Sequence, residues 1–147
     1  MIPIRVWDKQ NQRMHYLLDD PVALTVTLSD DSWFLDHGYF GLITDYNSGI
    51  IMVGTDQLDT GDREATTGER IYADDIVLQE EKAPGNPTGI FKITGIVKML
   101  EGTWVIDTGS EAVPLFSETA TNTILGDVHT SPDLLEALGC EKQPKYS

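Results

Sequence analysis

Hydrophobic and polar positions alternate with a period of two over most of this chain, which is the spacing of half-buried strands rather than helices. Leu24, Val26 and Leu28 alternate with Thr25 and Thr27 and predict a strand with one covered face. Residues 39–46 form a second β-rich run that meets Asn47-Ser48-Gly49, and residues 50–53 follow at once. Two such runs joined by three residues containing Gly predict a hairpin. From Gln57 to Arg70 apolar residues nearly vanish, so the segment reads as a loop before Ile71-Tyr72 and the apolar run 76–78. A second loop is predicted over residues 80–87, punctuated by Pro84, Gly85 and Pro87.

The clearest hairpin follows. Residues 90–93 lead through Gly95 into 96–100, the chain turns at Glu101-Gly102, and it returns over 103–107. Gly102 accepts the positive φ of a tight turn. Runs at 113–116 and 124–128 are further strand candidates, and Pro114 confines the first to a sheet edge or bulge. One helix is signalled over residues 132–138. Ser131 is a good N-cap, Pro132 suits the first helical position, Asp133 complements the helix dipole and Gly139 stands where a C′ residue would. Leu134, Leu135 and Leu138 form its expected buried stripe. The expected fold is therefore mostly β (all-β or α+β): short antiparallel strands in a barrel- or sandwich-like sheet, with one short C-terminal helix. We expect a single domain over residues 1–147, divisible into an N-terminal lobe over 1–60 and a C-terminal β lobe over 68–138.

Composition adds partner chemistry to this picture. With 40% hydrophobic and 23% charged residues the chain has the make-up of a globular protein, not a disordered one. Its formal net charge is -14 and unevenly placed. Between Met14 and Arg63 there is no Lys or Arg, while Asp19, Asp20, Asp30, Asp31, Asp36, Asp45, Asp56, Asp59 and Asp62 all fall there. Such a segment repels phosphate backbones and anionic lipid, so neither nucleic acid nor membrane is an expected partner. One reading is a solvated surface; the other is a face for a basic partner, or mimicry of nucleic acid. The single cysteine, Cys140, cannot form an internal disulfide and fits a reducing compartment. The opening residues lack the basic and apolar runs of a signal peptide, and no apolar stretch approaches bilayer-spanning length, so the cytoplasm is the expected location.

The chemistry-bearing residues do not assemble into a reactive pattern. The neighbouring pairs Asp19-Asp20, Asp30-Asp31 and Asp74-Asp75 point to opposite faces of a strand and do not converge on one substrate. The spacing of Asp56, Asp59, Asp62 and Glu64 is not that of an EF-hand loop. His15, His37 and His129 lack zinc-ligand spacing, and no nucleophile elbow or phosphate-binding glycine pattern is present. The expectation is a protein that is not an enzyme and carries no cofactor and no metal. Two clusters stand out: Trp7-Asp8, and the turn holding Tyr72, Asp74 and Asp75. Trp7 would fill the core end of a first strand, or anchor a partner if exposed. Asp75 would tie down its turn by accepting backbone N–H groups.

Four separated segments, Ile4-Arg5-Val6-Trp7-Asp8-Lys9 with Met14, residues 68–77, Gly95-Ile96-Val97-Lys98 and residues 124–135, together resemble the YopX family of phage and prophage proteins. The opening Ile4-Arg5-Val6-Trp7-Asp8-Lys9, with Met14 behind it, resembles that family's I-x-F-R-A-W-D-K…M start. The stretch Gly68-Glu69-Arg70-Ile71-Tyr72-Ala73-Asp74-Asp75-Ile76-Val77 resembles G-K-E-I-Y-E-G-D-I-V, with Asp74 at the glycine position. Gly95-Ile96-Val97-Lys98 resembles the following G-V-V strand pair. Ile124-Leu125-Gly126-Asp127-Val128-His129, through Pro132-Asp133-Leu134-Leu135, resembles the closing V-I-G-N-I-Y-E-N-P-E-L-L. The resemblance implies a phage or prophage habitat and a mostly β fold, and it implies no particular chemistry. Should the backbone at Asp74 be left-handed, Asp is among the few non-glycine residues that tolerate it. Because short strands with unpaired edges must be covered, the chain is expected to form homo-oligomers. The alternative is an acidic inhibitor or decoy that engages a basic host or phage protein.

Overall fold

A computed structural model describes residues 3–17, 23–59, 69–82, 90–117 and 119–142. Its contacts divide the chain into two compact units, Met1–Gly54 and Thr55–Ser147. The first unit holds β1 (Ile4–Asp8), β2 (Arg13–Tyr16), β3 (Leu24–Leu28), β4 (Trp33–His37), β5 (Gly41–Asp45) and the start of β6 (Gly49–Leu58). The second holds the end of β6, then β7 (Arg70–Tyr72), β8 (Asp75–Lys82), β9 (Ile90–Leu100), β10 (Thr103–Asp107), β11 (Ala112–Pro114), β12 (Ala120–Asp127) and α1 (Pro132–Lys142). The expectation of a mostly β chain of antiparallel strands with one C-terminal helix holds.

In the first unit β1 is central, pairing antiparallel with β2 and with β6. Its residues Arg5 to Asp8 are all buried. Arg5 is accommodated because Nε lies 3.3 Å from Met52 Sδ and Nη1 lies 3.3 Å from Tyr16 Oη, with the guanidinium 5.8 Å from the Tyr16 ring centroid. β3, β4 and β5 form a separate three-stranded sheet with β4 in the middle. The predicted hairpin joining residues 39–46 to 50–53 is thus corrected. The turn exists, with Ser48 N–H donating to Asp45 O at 3.0 Å, but β5 pairs with β4 while β6 pairs with β1. Gly49 serves packing as well as the turn, since a Cβ there would stand 2.7 Å from Trp33 Cη2. Tyr39 and Phe40, read from the sequence as strand, form the β4–β5 turn and are almost fully exposed.

In the second unit the sheet order is β11-β10-β9-β8-β12. Its core is Ile71, Val77, Val97, Ile106 and Leu115, with Ile93, Trp104 and Ile124 packed against them. The β9–β10 hairpin turns through two residues, Glu101 at φ 51° and Gly102 at φ 81°, the doubly left-handed turn that matches strand twist. β11, carrying Pro114, lies at the sheet edge, as its missing N–H requires. β12 is the other edge, and the Asp59 carboxylate accepts the Ile124 N–H at 3.0 Å. Gln79 and Asn122, opposite one another on β8 and β12, are buried and bonded at 3.0 Å. Both amides also donate to Leu115 O.

Several boundaries differ from the sequence reading. β6 runs on to Leu58 and β8 to Lys82, inside what read as loops. Residues 60–68 and 83–87 of those loops, with Asp62 and Glu64, lie outside the described residues, as does the pair Asp19-Asp20. The helix continues through Gly139 to Lys142, so Gly139 does not terminate it. Leu135 is exposed, which narrows the stripe to Leu134 and Leu138. Leu28, placed on the covered face of its strand by alternation, is 70% exposed.

Candidate functional site

The two clusters singled out in the sequence fall in different units, and each works within its own turn. Trp7 and Asp8 close β1 and are buried. The Asp8 carboxylate accepts the Gln10 N–H at 3.1 Å, the Asn11 N–H at 3.3 Å and Asn11 Nδ2 at 2.8 Å, which shapes the β1–β2 turn. His15 Nε2 stands 4.0 Å from Asp8 Oδ2. Burial holds the His15 pKa below its ordinary 6.5 despite the attraction of Asp8, and Arg13 adds to the lowering.

In the second unit, the turn between β7 and β8 rests on Asp75, whose buried carboxylate accepts the Tyr72 N–H at 2.8 Å. Asp74 has φ 72°, the left-handed conformation of a position where glycine is otherwise at home. Its N–H donates to Val97 O and its carbonyl accepts the Val128 N–H, tying the turn to β9 and to the end of β12. Asp74 Oδ2 lies 3.1 Å from His129 Nε2. The nearby hydroxyls are engaged in starting α1: Thr130 Oγ1 donates to Asp127 Oδ2 at 2.7 Å, and Ser131 Oγ accepts the Asp127 N–H at 3.3 Å. Asp127 also accepts the N–H groups of His129 and Thr130. The cluster holds an acid–histidine contact surrounded by capping bonds. No group of three His, Cys, Asp or Glu among the described residues is placed to hold a metal ion.

Two surfaces that the sequence reading missed are more open. The second unit carries a groove of about 490 Å³ lined by Asp56, Gln57, Gly102, Thr103, Trp104, Pro114 and Phe116. Phe116 is 60% exposed at its rim. The first unit presents the outer face of the β3-β4-β5 sheet. Register sets its composition: Phe34 lies opposite Asp45, and Asp36 opposite Leu42, across an irregularity that skips Ile43. Leu35 and Thr44 point the other way and are buried. Phe34 and Leu42 are 40% and 65% exposed, and at the end of these strands the β4–β5 turn presents Tyr39 and Phe40 at 88% and 83%. His37, on the Leu35 side of β4 by alternation, packs against both turn aromatics with its ring tilted by 44° and 39°, the centroids lying 5.7 Å from Tyr39 and 4.7 Å from Phe40. Its Nδ1 accepts the Tyr39 N–H at 3.1 Å. The sequence signal for this face was the unbroken run Trp33-Phe34-Leu35, which places apolar side chains on both sides of one strand.

Fold and surfaces together define a small two-unit antiparallel β protein whose most open features are a sheet face, strand edges and a shallow groove. A model of the YopX protein family matches residues 4–136, and the chain belongs to that family. The crystal structure of protein yopX from Bacillus subtilis is similar in fold, with a TM-score of 0.65 at 22% identity, covering 90% of this chain and 96% of that one. A crystallised protein from Enterococcus faecalis aligns with a TM-score of 0.47 at 18% identity, over 92% of this chain and 98% of that one. No curated protein matches the sequence. Among the described residues no helix is long and apolar enough to cross a membrane.

Proposed function

We propose that this chain is a non-enzymatic accessory protein of the phage and prophage type, acting in the cytoplasm of a bacterial host and assembling with copies of itself. The observation that carries the reading is the edge strand β3. Gly38 N–H donates to Ala23 O and Ser29 N–H to Ser32 O, so odd-numbered positions of β3 bond to β4. Leu24, Val26 and Leu28 therefore direct their N–H and C=O groups to the side of the sheet that holds no further strand among the described residues. The strand Leu-Thr-Val-Thr-Leu has no charge, no proline and high β propensity. Such an edge is a template for another strand unless covered, and a second copy covers it symmetrically.

Light scattering on a size-exclusion column tests this reading. Wild-type protein at micromolar concentration is expected to elute as an oligomer, and Leu28→Pro as a monomer, because proline removes an outward N–H without touching the β4 pairing. A wild type that is monomeric throughout the micromolar range would remove the proposal. A second reading, an acidic inhibitor or decoy for a basic protein, is favoured by the Lys/Arg-free stretch from Met14 to Asp62 together with the exposed apolar face that it builds.

A further inference from the structure

We infer that the outer face of the β3-β4-β5 sheet is a docking surface for a lysine- and arginine-bearing protein segment; this rests on the second reading above. Phe34 faces Asp45 and Asp36 faces Leu42 across β4 and β5, so apolar side chains and carboxylates alternate in both directions on one sheet face. Side chains opposite one another in a sheet lie about 5 Å apart. A lysine laid on such a chequerboard covers Leu42 or Phe34 with its aliphatic stem and brings its ammonium to Asp36 or Asp45. An arginine has in addition the exposed ring of Phe34 on which to stack while its guanidinium pairs with a neighbouring carboxylate. Apolar exposure of this extent, rimmed by charge of a single sign, marks an interaction surface rather than scattered surface residues.

Charge selects the occupant. The segment from Met14 to Asp62 contains no Lys or Arg to offset its carboxylates. A second copy seated face to face would bring the Asp36 and Asp45 carboxylates of both faces together with no Lys or Arg of that segment to offset them, and like charges so gathered are destabilising. Nucleic acid and anionic lipid carry the same sign. The self-association proposed above uses the edge of β3, not this face, so the two are separable.

The test is fluorescence anisotropy with a short labelled peptide of alternating lysine and leucine, at low and high salt, with an alternating glutamate–leucine peptide for comparison. Wild type is expected to bind the lysine peptide at low salt, to lose it at high salt and to ignore the glutamate peptide. The double variant Asp36→Asn/Asp45→Asn, and separately Leu42→Ser, are each expected to weaken binding by about tenfold or more. Glu111→Gln/Asp133→Asn removes the same charge from exposed positions of the second unit and is expected to leave binding within about twofold of wild type. Leu28→Pro is expected to bind as wild type does. If Glu111→Gln/Asp133→Asn loses as much as Asp36→Asn/Asp45→Asn, or the latter loses nothing, the face is not the site, although a basic partner remains. If wild type binds no lysine peptide, both the site and the basic-partner reading fall.

Discussion

Gly95→Ala is expected to destabilise the second unit by about 2–3 kcal/mol, because one methyl group is placed against backbone that has nowhere to go. Gly95 lies in the middle strand of the five-stranded sheet, opposite Val77. A Cβ there would stand 2.4 Å from Asp107 O, 2.8 Å from Asp107 C and 2.8 Å from Ile106 Cγ2. Ordinary contact begins at 3.4 Å, so the deficit at the carbonyl oxygen is 3.4 - 2.4 = 1.0 Å. A flexible side chain would swing aside, but Asp107 is held in β10 opposite Ile96. Relief must therefore come from parting two paired strands over the core residues Val97 and Ile106. Overpacking of this kind costs typically 1–3 kcal/mol, and the backbone partner puts this case near the upper end, about 3. Replacing glycine lowers the entropy of the unfolded chain and returns about 0.4–1 kcal/mol, which is too little to reverse the sign. Thermal unfolding followed by circular dichroism should show Tm lowered by about 5–10 °C. Gly102→Ala is the control: nothing lies within 4 Å of its Cβ, and only its φ of 81° is strained. That strain costs about 1–2 kcal/mol. A Gly95→Ala protein melting within about 2 °C of wild type would refute the close approach of β9 and β10.

Two further outcomes follow from buried polar groups. Asp75→Ala leaves the Tyr72 N–H without its acceptor in a buried turn and should lower stability by about 1–3 kcal/mol in urea titration, whereas Asp75→Asn should lose clearly less; equal losses would remove the hydrogen bond as the cause. The folded pKa of His15 lies below 6.5, so the unfolded chain binds that proton more readily in the interval just beneath 6.5. Stability is therefore full above 6.5 and falls as pH drops toward the folded value. The urea midpoint should decline between about pH 7.5 and 5.5 in wild type by more than in His15→Gln, and an identical decline in both would exclude His15 as a source.

What was legible in the sequence was local. The β9–β10 hairpin was readable because its turn, Glu101-Gly102, and its two strands are contiguous. The edge position of Pro114 followed from a missing N–H, and the helix start from Ser131-Pro132. The helix end was misplaced because Gly139 is only a weak breaker: an interior glycine costs about 1 kcal/mol, and α1 continues through it. Partner choice was the larger loss. Asn47-Ser48-Gly49 does turn the chain, but nothing local states that β6 crosses to β1 instead of folding back on β5. Polar strand ends were likewise lost to loops. Glu80 and Glu81 read as loop, whereas β9 and β12 pair with them on either side. Asp59, read from spacing alone as a metal-ligand candidate and set aside, proves to cap the Ile124 N–H from 65 residues away. The Asp75 turn was anticipated in its bonding because that bond spans three residues. The docking face was not, because it exists only in the register that sets Phe34 beside Asp45 and Asp36 beside Leu42.

Hydrogen–deuterium exchange across protein concentration reads the edge strand β3 most directly, residue by residue. The amides of Leu24, Val26 and Leu28 face outward, while those of Thr25 and Thr27 bond to β4. Self-assembly through this edge predicts that the first three exchange more slowly as protein concentration rises through the micromolar range, with Thr25 and Thr27 protected throughout. Exchange at Leu24, Val26 and Leu28 that stays fast and independent of concentration would contradict it.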